Sequence, residues 1–498
     1  MTPPPSDPVP PGNAVTGAEQ SDGTACTASG RVRERGNTQA IHGNGIGDAE
    51  APRRMVPRTN RFDRRRDHLP TPLTAEGSLL VTAPATTGSL RVVLHPGDSL
   101  SRRQRLVYVF VLGALTALGP FTIDLYLPAF PSLKHEFGIS DGAVQLTLTA
   151  TTLGFAAGQL LVGPWSDKVG RRLPLIIATS VHVAASIGAA LAPDVEILAV
   201  FRVLQGMGAS AGGVVAMATV RDLFGGKPLV RMLSRLAMVN GLAPILAPLI
   251  GSQMLRFVSW RGVFVFLACY GAAVVIASIL LIVETLPPAR RHEAGHSTIG
   301  QRYRALFSDR IFVGVALIGA MVFSGLFSYL SSSPFLFQGL YGLDAQQYGL
   351  LFAVNSVGVV VGVQISARLA QRVGPQWILA CSTATLFLAS VAIIVLDQLG
   401  AGLIGVLVPL WFFIAACGFS FPLVQVIGLA AHGKEAGTAA SLLGALNFGV
   451  AGIISPVVGL IGISTATPMA AVMACTSVTA IVILWAVVRP RTVPALTH

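Results

Sequence analysis

The stretch G-P-W-S-D-K-V-G-R-R, Gly163 to Arg172, stands between two apolar runs, about 142–163 and about 173–192. Neither run contains an Asp, Glu, Lys or Arg. Each has roughly the 20 residues that a helix needs to cross a bilayer core. The short link between them holds one acid, Asp167, and three bases, Lys168, Arg171 and Arg172. Two spanning lengths joined by a charged turn read as a transmembrane hairpin. Helices are required, because lipid cannot satisfy the backbone of a coil or an open sheet edge.

Outward from this hairpin the pattern repeats. Twelve spans are expected, at about 106–128, 142–163, 173–192, 197–219, 236–255, 262–282, 311–333, 346–367, 375–396, 401–425, 436–460 and 466–488. The composition agrees: 52% of the 498 residues are hydrophobic and only 12% are charged. Mean hydropathy is +0.67 even with a polar N-terminal region included. That region is rich in Pro, Gly, Thr and Arg, cannot bury enough apolar surface to fold, and has no apolar stretch after Met1 to serve as a signal peptide. It is expected to be a disordered tail, with a start codon set too early as the other reading.

The net charge of +12 does not point to nucleic acid. Beyond the tail, basic residues fall in short clusters between spans, not in a stripe on one domain. Of the 21 Lys and Arg from residue 106 onward, 17 follow even-numbered spans or lie at the C-terminus. By the positive-inside rule both termini are cytoplasmic. The five cysteines have neither zinc-site nor disulfide spacing. No metal cluster, phosphate loop or nucleophile–base set is recognisable, so an enzyme is not expected. G-M-G-A-S-A-G-G, Gly206 to Gly213, lacks the strand context of a dinucleotide site.

The polar connection after the sixth span divides the chain into related halves. P-S-L-K-H-E-F-G-I-S-D-G-A-V-Q from Pro131 matches P-F-L-F-Q-G-L-Y-G-L-D-A-Q-Q-Y from Pro334, and D-K-V-G-R-R is echoed by Q-R-V-G-P-Q. Pro131 to Gly170 is 39 residues and Pro334 to Gly374 is 40. The expected plan is an all-α integral membrane protein: a tail (1–104), a six-helix half (105–283), a cytoplasmic linker (284–310), a second six-helix half (311–490) and a short cytoplasmic tail (491–498).

These features resemble the major facilitator superfamily. Gly163, Asp167, Gly170, Arg171 and Arg172 match its signature loop, which the resemblance implies to be a conformational gate pairing across an opening interface. Arg202, Gln205, Gly206 and Gly208 in the fourth span match its R-x-x-q-G-x-g-a motif. A membrane arginine costs about 2.5–3.5 kcal/mol on insertion scales, and the resemblance ties it to proton coupling; the plain alternative is that Arg202 snorkels to the interface. The fifth span, N-G-L-A-P-I-L-A-P-L-I-G-S, carries Asn240, Gly241, Pro244, Pro248 and Gly251. It is similar to an antiporter motif, departing from it at Ala247 and Ser252. Together with I-D-L-Y-L-P-A-F-P, S-W-R-G-V-F, E-T-L, S-S-P-F-L-F-Q and A-G-T-A-A-S-L-L-G, it resembles the bicyclomycin-resistance and chloramphenicol-efflux family of drug:proton antiporters.

Asp124 alone among the acids lies within a span, and desolvation disfavours its charged form. In the resembling family the first-span acid carries the coupling proton; otherwise Asp124 would be a fixed structural acid near Pro128. The resemblance implies no cofactor beyond the proton gradient, a small drug-like substrate, protons and lipid as partners, and a monomer in the bacterial inner membrane. Polar and aromatic groups on apolar helices nominate Tyr126, Asn240, Phe327, Asn355, Phe413, Gln425 and Asn447 for the substrate cavity. The other functional readings are a same-fold exporter of an endogenous metabolite and a non-transporting membrane sensor.

Overall fold

A computed structural model describes residues 96–288, 299–432 and 436–493. The expected tail up to residue 95, the middle of the linker with Arg290 and Arg291, the loop with Lys434, and residues 494–498 lie outside the described residues. All regular elements among the described residues are helical. The first half contains α1 (Arg102–Asp124), α2 (Phe130–Phe137), α3 (Asp141–Val169), α4 (Arg172–Ala190), α5 (Val195–Leu223), α6 (Gly226–Met254) and α7 (Trp260–Leu281). A short α8 (Ile299–Ser308) belongs to the linker. The second half contains α9 (Arg310–Pro334), α10 (Ala345–Val373), α11 (Pro375–Gln398), α12 (Gly402–Ala430), α13 (Ala436–Ile454), α14 (Val457–Ile461) and α15 (Thr467–Ile483). Among the described residues, twelve segments are long and apolar enough to span a membrane.

Several boundaries differ from expectation for local reasons. Helical structure is present before residue 104: Pro96–Ser99 forms a 3-10 turn, and Ser101 with Gln104 makes a capping box that starts α1. The first span does not end at Pro128. Pro128 and Pro131 occupy the first positions of a 3-10 turn (Leu127–Ala129) and of α2, where a missing N–H costs nothing. The span therefore continues, bent, to Phe137, and Asp124 stands just short of its outer third. The fifth span starts at Gly226, ten residues early, because Arg231 and Arg235 extend the helix beyond its apolar part.

The repeat is visible in the backbone. Both α3 and α10 have 29 residues and end in Val-Gly, with Gly170 at φ 109° and Gly374 at φ 91°. That conformation is open to glycine and strained for other residues. In lipid, small residues permit the close packing that drives helix association. A Cβ on Gly206 would lie 2.1 Å from the Thr151 carbonyl oxygen, which fixes α5 against α3. Within the halves, α3 and α4 pack on α5, and α10 and α11 pack on α12. Between the halves, the seam is formed by α3 against α13 and α6 against α10.

Candidate functional site

The seam is tight at the end bearing the connections after odd-numbered spans, here termed distal. There the Phe130 and Phe335 rings meet at 5.7 Å. Gln338 Nε2 donates to the Pro128 carbonyl at 3.2 Å, Gln346 Nε2 to Ser252 O at 3.0 Å, and Gly459 N–H to Gln145 Oε1 at 3.1 Å. Toward the other end α6 and α10 diverge. A Cβ on Gly349 would fall 2.4 Å from Ser252 Oγ, whereas one on Gly241 would fall 3.9 Å from Val360.

Asp124 closes α1 at this seam and is only 6% exposed. Among the described residues neither of its oxygens has a hydrogen bond or an ion pair. It is therefore not held as a structural acid by a helix neighbour. Arg202 is fully buried, so it does not snorkel. Its Nη1 donates to the Thr122 carbonyl at 3.1 Å and to Gln205 Oε1. Its guanidinium lies 4.0 Å from the Tyr126 ring centroid and 5.4 Å from that of Phe264, a cation–π arrangement that strengthens out of water. Gln205 Nε2 donates to Ser186 Oγ at 2.7 Å, and His182 Nδ1 lies 3.3 Å from Gln205 O.

Asp124 and Arg202 are thus close in the chain-to-chain sense but not paired. At about 100° per residue, Asp124 and Tyr126 project to opposite sides of the helical turn. Tyr126 takes the side of Arg202, inside the first half. Asp124 takes the seam. His182, on α4 and fully buried, is marked in the sequence only as a lone histidine in the otherwise uncharged run 173–192.

The residues expected for the cavity wall sit in different surroundings. Tyr126 is committed to Arg202 and to Thr147 Oγ1 at 3.1 Å. Phe413 is fully buried. Phe327 stacks on Phe323 at 4.9 Å, in a cluster with Phe448. Asn355 Nδ2 donates to Tyr329 Oη at 3.2 Å. Asn240 and Gln425 are exposed. Asn447 alone keeps a buried oxygen, Oδ1, with no partner. An apolar groove of about 250 Å³, lined by Trp377, Cys381 and Phe412 among others, lies on the second half away from Asp124.

The signature loop forms a second polar centre at the proximal end. Arg171 Nε donates to Asp222 Oδ2 at 2.9 Å, and Nη1 donates to Ser166 Oγ at 3.0 Å and to Asp167. Glu284 accepts from the backbone N–H of Arg171 at 2.9 Å and of Arg172 at 3.2 Å, placing an anion on the N-terminus of α4. Burial works against the Arg171 charge, but Asp222 and then Asp167 more than offset it and raise the guanidinium above its ordinary value. Contrary to expectation, the ion pairs of this cluster stay within the first half among the described residues. Only Gly163 looks across the seam, its Cβ position 3.2 Å from Ser441 Oγ. Asp222 stands in none of the sequence motifs, and Glu284 only in E-T-L.

Because Asp222 is nearly buried and Asp167 is 44% exposed at the side chain, the two should differ. Asp222→Asn is expected to destabilise the purified protein by about 1–3 kcal/mol, seen as a lower melting temperature in detergent. Asp167→Asn should cost less, because solvent already screens that pair. Equal losses would show that the Asp222 bond is not the stronger tie.

Comparison with known proteins follows this geometry. The sequence profile of the Major Facilitator Superfamily matches residues 109–456. The uncharacterized MFS-type transporter YdgK of Bacillus subtilis (strain 168) is 34% identical over 76% of this chain and 94% of its own length. A bicyclomycin resistance protein homolog of Haemophilus influenzae (strain ATCC 51907 / DSM 11121 / KW20 / Rd) is 27% identical over 74% of this chain and 92% of its own. Among solved structures, the xylose transporter XylE from E. coli, in a partially occluded inward open conformation, overlays with a TM-score of 0.63. It is 14% identical, over 80% of this chain and 99% of that one, a likeness of fold alone.

Proposed function

The chain belongs to the Major Facilitator Superfamily, and from that premise we propose that it exports amphipathic drugs by exchange for protons. The observation that carries this reading is Asp124, a buried carboxylate at the seam with no partner among the described residues. An ionisable group held in that setting is expensive, and in membrane proteins such groups mark ion or proton pathways. The names of relatives such as the bicyclomycin resistance protein homolog support a drug as the exchanged solute.

In this scheme the proximal end faces the cytoplasm and the distal end the outside, following the distribution of Lys and Arg. The chain works as a monomer in the inner membrane and draws on the proton gradient with no further cofactor. Drug enters from the proximal side and meets Asp124, which gives up its proton; after the seam reopens distally, drug leaves and a proton returns. With one such acid, at most one proton is coupled per cycle. Arg202 shapes the proton site through α1, gripping the Thr122 carbonyl two residues away. Gly163 to Arg172 brace the proximal end of the first half during the movement.

A susceptibility panel tests the substrate class. A strain expressing the protein should tolerate amphipathic antibiotics, bicyclomycin and chloramphenicol among them, better than the deletion strain. No change across the panel, with a metabolite altered in the medium, would support export of an endogenous compound instead.

A further inference from the structure

The exchange proposed above, on which this inference rests, requires the Asp124 carboxylate to exist as an anion for part of the cycle. A buried anion without hydrogen bonds is costly. Among the described residues nothing in the first half donates to it: Arg202 is turned to Tyr126, Gln205 and the Thr122 carbonyl, with its Nε and Nη2 unbonded. The second half holds a hydroxyl free to donate. Tyr329 on α9 is 1% exposed, and its oxygen accepts from Asn355 Nδ2 at 3.2 Å. That bond occupies a lone pair and leaves the hydroxyl hydrogen with no acceptor among the described residues. The Tyr329 ring is stacked on Phe352 at 5.9 Å, which limits where the hydroxyl can point.

The closed distal seam brings the two residues to the same level. Six residues further along each chain, Phe130 and Phe335 are in ring contact, and the Leu127–Ala129 turn packs on both α9 and α10. The electrostatic influence of Asp124 reaches the hydroxyls of Tyr329 and Tyr348. Tyr348 is already paired with Ser333 Oγ at 2.9 Å. The titratable groups of the other packed helices are engaged elsewhere or lie at another level. Tyr270 on α7 donates to Ala114 O, His182 on α4 sits behind Gln205, and the arginines of α6 lie at its proximal start. On α3, Gln145 and Thr147 do not titrate; Thr147 is paired with Tyr126, and Gln145 Nε2 is buried without a partner.

We propose that Tyr329, oriented by Asn355, donates a hydrogen bond to the deprotonated Asp124 and so locks the empty carrier with its distal end closed. Two events release the lock. Protonation removes the charge that makes the bond strong, and a bound drug takes the place of the tyrosine at the carboxylate. Only the proton-loaded and drug-loaded carriers then cross freely, and this is what prevents leak in an exchanger. Tyr329 is a positioning residue across the seam, and the proton itself stays with Asp124.

Spin labels at Phe257 and Leu399, which are 86% and 74% exposed in distal connections of the two halves, read the lock directly. They are placed by Phe257→Cys and Leu399→Cys in full-length protein with its native cysteines replaced by serine, held in nanodiscs. Wild type should give one short distance at pH 9 and a mixed, longer distribution at pH 5. Tyr329→Phe, which removes one oxygen, should raise the open population at pH 9 by about tenfold, the effect of losing one charge-assisted hydrogen bond. Asn355→Ala should act in the same direction, more weakly. Tyr329→Phe added to Asp124→Asn should change nothing further. A Tyr329→Phe protein that stays closed at pH 9, or a wild type that never opens on acidification, overturns the lock. If instead Asp124→Asn keeps the wild-type response to pH, it is the proton role of Asp124 that fails.

Discussion

Asp124→Asn is expected to abolish drug-driven proton release from proteoliposomes and to reduce efflux at least about tenfold, while leaving the fold intact. Asn has nearly the shape of Asp and cannot carry the proton. In most buried sites such a change also breaks hydrogen bonds, and loss of activity is then ambiguous. Here the carboxylate has no partner among the described residues to lose, so stability should change little or improve, since a buried charge is removed. Drug counterflow, which needs no net proton movement, should persist. The three results together separate coupling from folding. Retained proton release in Asp124→Asn would sink the assignment. A measured count clearly above one proton per drug would sink the single-site scheme while leaving exchange in place.

The parts of the fold that were legible in the sequence are those governed by local chemistry. Span lengths follow from hydropathy, and Val169-Gly170 and Val373-Gly374 marked equivalent helix ends because both need a glycine conformation. The site was legible only in part. Asp124 and Arg202 stood out because charge is rare in lipid, and both are buried. Their separation was hidden, because it depends on which face of a short irregular turn each side chain takes, and Tyr126 is drawn under Arg202 by a contact from another helix. The cavity residues are a related case. A polar group on an apolar helix signals a polar partner, and for Asn355 that partner is Tyr329, not a substrate. Asp222 and Glu284 were invisible because their partner, Arg171, is 51 and 113 residues away.

The fifth-span motif contains two glycines with opposite expected outcomes. A Cβ on Gly251 would lie 1.9 Å from the Leu125 carbonyl oxygen and 3.0 Å from its carbon. Both are backbone atoms of the residue that follows Asp124, and the Leu125 N–H is itself fixed to Phe121 O at 3.2 Å. Nothing flexible can yield, so Gly251→Ala must push α6 away from the end of α1. Overpacking of this kind costs about 1–3 kcal/mol, spent on displacing the turn that carries the acid. Efflux is expected to fall at least about tenfold, with the protein still recovered as a monodisperse peak after extraction. Gly241→Ala meets only a Val360 methyl at 3.9 Å, an ordinary contact, and alanine favours the helix by about 1 kcal/mol over glycine. Its efflux should stay within about twofold of wild type. Similar losses at both positions would mean that the motif acts through helix flexibility. Loss at Gly251 alone would mean that it acts through the close approach of two backbones beside Asp124.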